Sequence, residues 1–308
     1  MAHPAHHGRA RREVHGVLLL DKAAGISSYT ALRAAQRLYG AAKAGHTGTL
    51  DPLATGLLPA CFGDATRFSH LLLDSDKAYR AGVRLGMTTA TGDLEGAVTS
   101  RAPVAVSREE VDAVIRRFVG ESMQIPPMYS AIKQDGEPLY KLARAGLEVP
   151  RAPRAVTIRE ISLLDMAGHE LDLAVTCSKG TYIRVLAEDI GRELGCGACL
   201  SALRRTGVGG FSLDRGAYTA AELEAMTLVE RDAVLLPPDA LLASLPQFDL
   251  DAEQARRLLQ GQTVEQAGAA EAGLARVYGP GRRFLGLAEL TGRGRVVPRR
   301  LLSQARAG

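Results

Sequence analysis

Between Ala44 and Pro59 the chain reads Ala-Gly-His-Thr-Gly-Thr-Leu-Asp-Pro-Leu-Ala-Thr-Gly-Leu-Leu-Pro, one histidine, three threonines and one carboxylate framed by glycines. Glycine lets backbone approach a ligand closely, and Pro52 confines Asp51 to extended conformations, so the carboxylate is presented at a set angle. The chemistry open to such a group is nucleophilic: a carboxylate can form and release a covalent adduct. The plain alternative is an Asp-Pro turn in which Asp51 bonds only its own backbone.

Two other segments offer partners to an exposed aspartate. Asp76-Lys77-Ala78-Tyr79 places a phenol at the start of a strand. Ser178-Lys179-Gly180-Thr181-Tyr182-Ile183-Arg184 puts a second tyrosine and an arginine in the first turn of a helix. Arg184 lies one position off the Ile183, Leu186, Ile190 stripe, so it can leave the core sideways. Pairing with Asp51 would hold that carboxylate ionised and oriented; pairing with Glu188 at i+4 would be a surface contact. Tyr79 could equally be half-buried packing.

The elements that must position these groups are legible in outline. Val17 to Leu20 reads as a short buried strand, followed by a turn at Lys22-Ala23-Ala24-Gly25. A helix follows Ser27 and Ser28, with Leu32, Ala35 and Leu38 on one face and Gly40 as its stop. Gly45 to Gly56 reads as loop. Tyr79, Ala81, Val83 and Leu85 alternate with Arg80, Gly82 and Arg84, and Leu171, Leu173, Val175 and Cys177 with Glu170, Asp172 and Thr176, the period of a half-buried strand. Ser107-Arg108-Glu109-Glu110 is a capping box for a helix carrying Val111, Val114, Ile115 and Phe118. Helical spacing over Thr181 to Leu194 ends at Gly195. A boundary falls between Leu236 and Pro246, and beyond it come a helix over Asp251 to Gln260 and strands near Ala275–Tyr278 and Phe284–Leu287. Strands and helices do not alternate strictly, so the expected class is α+β with a mixed sheet.

Composition narrows the function. The chain has 308 residues, 46% hydrophobic and 23% charged, as in ordinary globular proteins. Its apolar runs fall far short of the roughly 20 residues of a membrane helix, and no signal-peptide core is visible. Four cysteines give no disulfide framework, which points to a reducing, cytoplasmic home. Of 38 basic residues 32 are arginine. Asp249 to Gly308 holds ten arginines against six acids, while the preceding 248 residues balance. A basic tail on a neutral body is suited to a polyanion. No phosphate-cradling glycine motif and no nucleophilic-serine elbow is present. Cys196-Gly197-Ala198-Cys199 is a single C-x-x-C, short of a four-ligand zinc site, and His3, His6 and His7 lie in a basic arm expected to be flexible over residues 1–12.

Taken together, Gly45-His46-Thr47-Gly48-Thr49-Leu50-Asp51-Pro52-Leu53-Ala54-Thr55-Gly56 closely resembles the catalytic motif of the TruB-type tRNA pseudouridine synthases. The likeness extends to Leu73–Tyr79, Pro127–Lys133, Cys177–Arg184 and Leu203-Arg204-Arg205. Gly286-Leu287-Ala288-Glu289 and Pro298–Leu302 resemble the small PUA-type RNA-binding module that ends bacterial members. The resemblance spans about residues 14–303; it departs at Lys22-Ala23-Ala24, where the family usually has proline after the lysine.

The resemblance implies a largely antiparallel catalytic sheet over residues 13–245 and a β-rich PUA-like domain over 246–308. It implies isomerisation of uridine 55 in the tRNA T-loop, without cofactor or metal. Asp51 would be the nucleophile, attacking the anomeric carbon or uracil C6, and Arg184 would keep it ionised. The base must be flipped out of its loop at a cost of a few kcal/mol. Tyr79 would stack on it, worth roughly 1–3 kcal/mol, and would help remove the C5 proton. His46 would fill the vacated space, Tyr182 and Leu203 would line the pocket, and Lys22 would support the loop. The T-arm stem-loop is the expected partner and a monomer the expected state. The alternatives are a non-catalytic tRNA-binding or folding factor, and an enzyme that cleaves the N-glycosidic bond outright.

Overall fold

The computed structural model describes residues 11–265, 272–291 and 294–303. His3, His6, His7 and residues 1–10 of the expected arm lie outside them. Arg12 is fastened to the body: its guanidinium pairs with Asp232 and its amide donates to the Gly40 carbonyl at 2.7 Å.

The framework is one ten-stranded mixed sheet. Its first strand, β1 (Gly16–Lys22), is buried on both faces because Val17, Leu18, Leu19 and Leu20 leave no polar face to turn outward. Helix α1 (Ser28–Tyr39) begins where the Ser27 side chain accepts the Thr30 amide and ends at Gly40 in the left-handed conformation, φ 61°. Then come β2 (Ala44–His46), β3 (Thr55–Phe62) and β4 (Lys77–Leu85). Helix α2 (Arg108–Arg116) carries the expected capping box, and β5 (Gly120–Gln124), β6 (Arg154–Ala167) and β7 (Glu170–Cys177) build the far side of the sheet. Helix α3 (Ile183–Glu193) and β8 (Ala198–Val208) follow, then the two-residue strands β9 (Phe211–Ser212) and β10 (Tyr218–Thr219).

In space the order is β10-β1-β3-β8-β4-β7-β6-β5, with β2 added to β3 and β9 to β8. Only β1 with β10 and β3 with β8 run parallel. The class is therefore α+β with a largely antiparallel sheet, as expected. One reading needs correction: Gly45 to Gly56 is not all loop. Ala44–His46 pairs with Ala60–Phe62, and Thr55 already belongs to β3. That pairing is made with residues some fifteen positions away, which local composition does not register.

The C-terminal residues form a second, five-stranded curled sheet around α4 (Ala252–Leu259) with its own core of Leu258, Val264, Val277, Leu285 and Val296. It docks on the main body through a shared cluster in which Leu287 joins Phe68, Leu241 and Leu242. The Phe68 and Phe284 rings lie 5.8 Å apart across this junction. The buried Asp64 carboxylate accepts the Ser303 amide and hydroxyl at 3.0 and 2.6 Å.

Candidate active site

The loop after β2 is held at both flanks. The buried Ser28 hydroxyl, at the start of α1, accepts the Leu50 amide at 2.7 Å and donates to the Leu50 carbonyl at 3.1 Å. The Ala54 amide donates to the Asp51 carbonyl at 3.1 Å, so the residues after the carboxylate turn tightly toward β3. Gly25 donates its amide to the Pro52 carbonyl at 2.8 Å. The Asp51 side chain is thus fixed at its root and still 38% accessible at its tip.

Arg184 supplies the countercharge. Its Nε donates to Asp51 Oδ2 at 3.0 Å, Nη1 to the Thr91 carbonyl at 2.9 Å and Nη2 to the Tyr129 carbonyl at 2.7 Å. A second carboxylate, buried Asp93, lies 3.8 Å from the same Nε. The guanidinium is only 4% exposed. Burial in a low dielectric strengthens its pull on Asp51, and three oriented acceptors leave it no freedom to swing away. The alternative of a surface pair with Glu188 is not the geometry adopted. Glu188 instead lies partly buried, and that burial raises its carboxyl above the usual range.

Tyr79 stands on β4 with Arg205 of β8 as its cross-strand partner and Val175 of β7 on the other side. Burial pushes the Tyr79 phenol up to about 12, against the opposing effect of the neighbouring Arg205 charge. It is therefore a neutral phenol at physiological pH. Leu203, two positions earlier on β8, is buried opposite Ala81, and its carbonyl accepts the Thr55 hydroxyl at 3.5 Å.

Lys22 closes the near side. It is almost wholly buried, and its ammonium donates to the carbonyls of Ala23 and Ile26, each at 2.8 Å, and of Pro52 at 3.3 Å. The side chain itself ties together the turn in which the family's usual proline is replaced. Burial lowers its pKa to about 8, with the Asp51 charge opposing and Arg205 adding to the drop. The ammonium persists at neutral pH, as three carbonyl acceptors require. Tyr182 sits at the N-terminus of α3, its backbone clasped by the Gln124 side chain in two hydrogen bonds of 2.8 and 3.1 Å. Its phenol is raised by burial. His46 ends β2; burial first and Arg205 second lower its pKa, and its buried Nδ1 has no partner among the described residues.

The structure thus joins Asp51 directly to Arg184 and brings Lys22 to the next residue of the same loop. Tyr79 and Tyr182 lie close enough to Asp51 to feel its charge. His46 and Leu203 stand beside the loop without a bond to Asp51.

Arg205 is the group that residue-level reading passes over. It is 1% exposed, and no carboxylate among the described residues pairs with it. Its Nε donates to the Leu57 carbonyl at 2.8 Å, while Nη2 and Nη1 reach the carbonyls of Gly48 and Thr49 at 3.2 and 3.5 Å. It nails the glycine loop to β3 from below while lying against Tyr79. The one available signal is an arginine interrupting a buried strand.

Sheet order and site define the class of the pseudouridine synthases. The chain in the crystal structure of a Cbf5-Nop10-Gar1 complex superposes with a TM-score of 0.70 at 26% identity, over 91% of this chain and 79% of that one. The profile of the N-terminal domain of TruB family pseudouridylate synthases matches residues 36–183. The tRNA pseudouridylate synthase B C-terminal domain matches 184–243, and the C-terminal domain of pseudouridine synthase II TruB matches 246–302. A tRNA pseudouridine synthase B from Methylobacillus flagellatus is 55% identical over 96% of this chain and 98% of its own length. One from Chromobacterium violaceum is 53% identical over the same shares. The chain belongs to the TruB family of pseudouridylate synthases.

Proposed function

We propose that this protein isomerises uridine to pseudouridine in tRNA, at position 55 of the T-loop, with Asp51 as the nucleophile. The observation that carries the reading is the buried Arg184 guanidinium 3.0 Å from a carboxylate whose tip remains accessible. A carboxylate held and aimed in this way is what attack on the sugar anomeric carbon or on uracil C6 requires.

The sequence of events is redox-neutral and needs no external group. The target nucleotide is flipped out of its loop, Asp51 bonds to it, and the N-glycosidic bond breaks. The base turns over, C5 bonds to the anomeric carbon as Asp51 is released, the C5 proton passes to solvent and N1 takes one up, so product and substrate hold the same atoms. Tyr79 offers its ring face for stacking. Its phenol, pushed up to about 12 by burial, starts neutral and stands where it can help take the C5 proton at the last step. Lys22 and Arg205 hold the loop, Tyr182 and Leu203 line the pocket, and His46, neutral, packs where the base has left.

In this reading residues 13–245 carry catalysis and 246–308 form a PUA-like grip on phosphates, with the T-arm stem-loop as partner and a cytoplasmic monomer as the working form. Incubation with an unmodified tRNA transcript followed by nucleoside analysis tests it. The expected product is one pseudouridine per tRNA, at position 55; free uracil would mean glycosidic cleavage and would overturn the isomerase.

A further inference from the structure

The C-terminal end of α1 carries a feature that the catalytic account does not use. A pocket of about 450 Å³ opens there, lined by Arg11, Arg12, Arg33, Arg37 and Arg231, with no aspartate or glutamate among its lining residues. Leu38, Tyr39, Ala41 and Leu228 supply apolar lining. Arg12 has a carboxylate partner in Asp232; the other four guanidiniums gathered around one opening favour the entry of an anion.

Local structure accounts for two of the five. Arg12 pairs with Asp232 and also reaches the Tyr39 carbonyl at 3.4 Å. Arg231 donates to the carbonyls of Leu38, Leu223 and Glu224 at 2.8, 2.6 and 3.2 Å. Both therefore cap the helix end, a favourable place for cations. Neutral carbonyls do not cancel the charge of Arg231, however. Among the described residues, the Arg33 guanidinium bonds the Gln36 side chain at 2.6 Å and no carboxylate. Arg11 and Arg37 make no ion pair with any described residue.

We propose that this pocket is a phosphate-binding site that takes the sugar–phosphate backbone of the tRNA outside the T-arm. The inference rests on tRNA being the substrate. Guanidiniums match phosphate in geometry as well as charge, and an apolar lining suits the ribose and base between two phosphates. Placement favours a segment other than the T-loop: Ser28, at the opposite end of α1, holds the Asp51 loop, and twelve residues of helix span about 18 Å. A contact at this end lies about 18 Å from the loop that holds the reacting nucleotide, and comparing full-length tRNA with the hairpin decides on which arm it falls.

The test compares full-length tRNA transcript with an isolated T-arm hairpin, using the whole protein and an Arg33→Ala/Arg37→Ala variant. Both residues are at least partly exposed, and an unchanged thermal melt verifies the fold. Full-length tRNA is expected to bind on the order of tenfold more weakly at 0.1 M salt, with a salt slope shallower by about 2. Hairpin binding and turnover are expected to stay as they were, and Arg33→Lys/Arg37→Lys is expected to recover most of the loss. Unchanged affinity for full-length tRNA would overturn the site. Equal loss on the hairpin would place the contact within the T-arm and overturn the assignment. Displacement of tRNA by millimolar inorganic phosphate, against chloride of equal ionic strength, would make it a small-anion site instead. A native protein that leaves the hairpin unmodified would count against the isomerase reading, not against this pocket.

Discussion

At the scale of single residues, the central relation is geometric. Arg184 meets Asp51 with one nitrogen and two backbone carbonyls with the others, so its charge and its planar fork both matter. Lysine keeps the charge and loses the fork. Arg184→Lys is expected to lower kcat by about a hundredfold to a thousandfold, about 3–4 kcal/mol of transition-state stabilisation, while tRNA affinity changes little. A kcat within a few-fold of the native value would show that orientation of Asp51 is not what Arg184 provides. His46 gives a pH signature. Its folded pKa lies below the ordinary 6.5, so on acidification the unfolded chain takes up its proton first and stability falls until the folded pKa is passed. His46→Gln is expected to flatten the fall of urea-unfolding stability as pH drops below the ordinary histidine value of about 6.5; a curve of unchanged slope would contradict this. Residue types and spacing left Arg184 two partners, Asp51 and Glu188, and the structure adopts Asp51. Arg205 was not legible, because its partners are backbone carbonyls from other segments, and carbonyls carry no sequence signal.

At the scale of elements, helices were easier to read than strands. Capping residues and a 3.6-residue stripe announce α1, α2 and α3 within a few positions. Strand β8 is obscured because Arg204 and Arg205 break its alternation and two register shifts interrupt its pairing with β4. The same residues explain a constraint on the loop. Gly56 has φ 101°, and a Cβ there would lie 2.3 Å from the Arg205 carbonyl oxygen. Gly56→Ala must push β3 away from β8, and a loss of at least about 3 kcal/mol is expected from strain and clash together. Calorimetry showing a drop under 1 kcal/mol would mean the strands are not so closely apposed. Arg205→Met should act differently. It removes a buried charge and leaves the Gly48, Thr49 and Leu57 carbonyls without their donor, costing about 1–3 kcal/mol. Turnover should fall further than that stability loss explains, since the loop carrying Asp51 is freed.

For the whole molecule, composition marked the last sixty residues as basic, but neither their own core nor how they sit on the body. That junction depends on Phe284 meeting Phe68 and on Asp64 capturing Ser303, contacts between residues more than two hundred positions apart. Asp64→Ala should loosen the clasp. Limited proteolysis is expected to cut the C-terminal strands faster, with hairpin turnover retained; an unchanged digestion rate would show that the apolar contacts suffice. The account as a whole stands on Asp51. The direct measurement is release of tritium from a T-arm hairpin labelled at uridine C5, with the native protein and with Asp51→Asn. Release by the native protein, and none by a variant that still binds the hairpin, is the predicted result. Sustained release by Asp51→Asn, or none by the native protein despite tight binding, would contradict it.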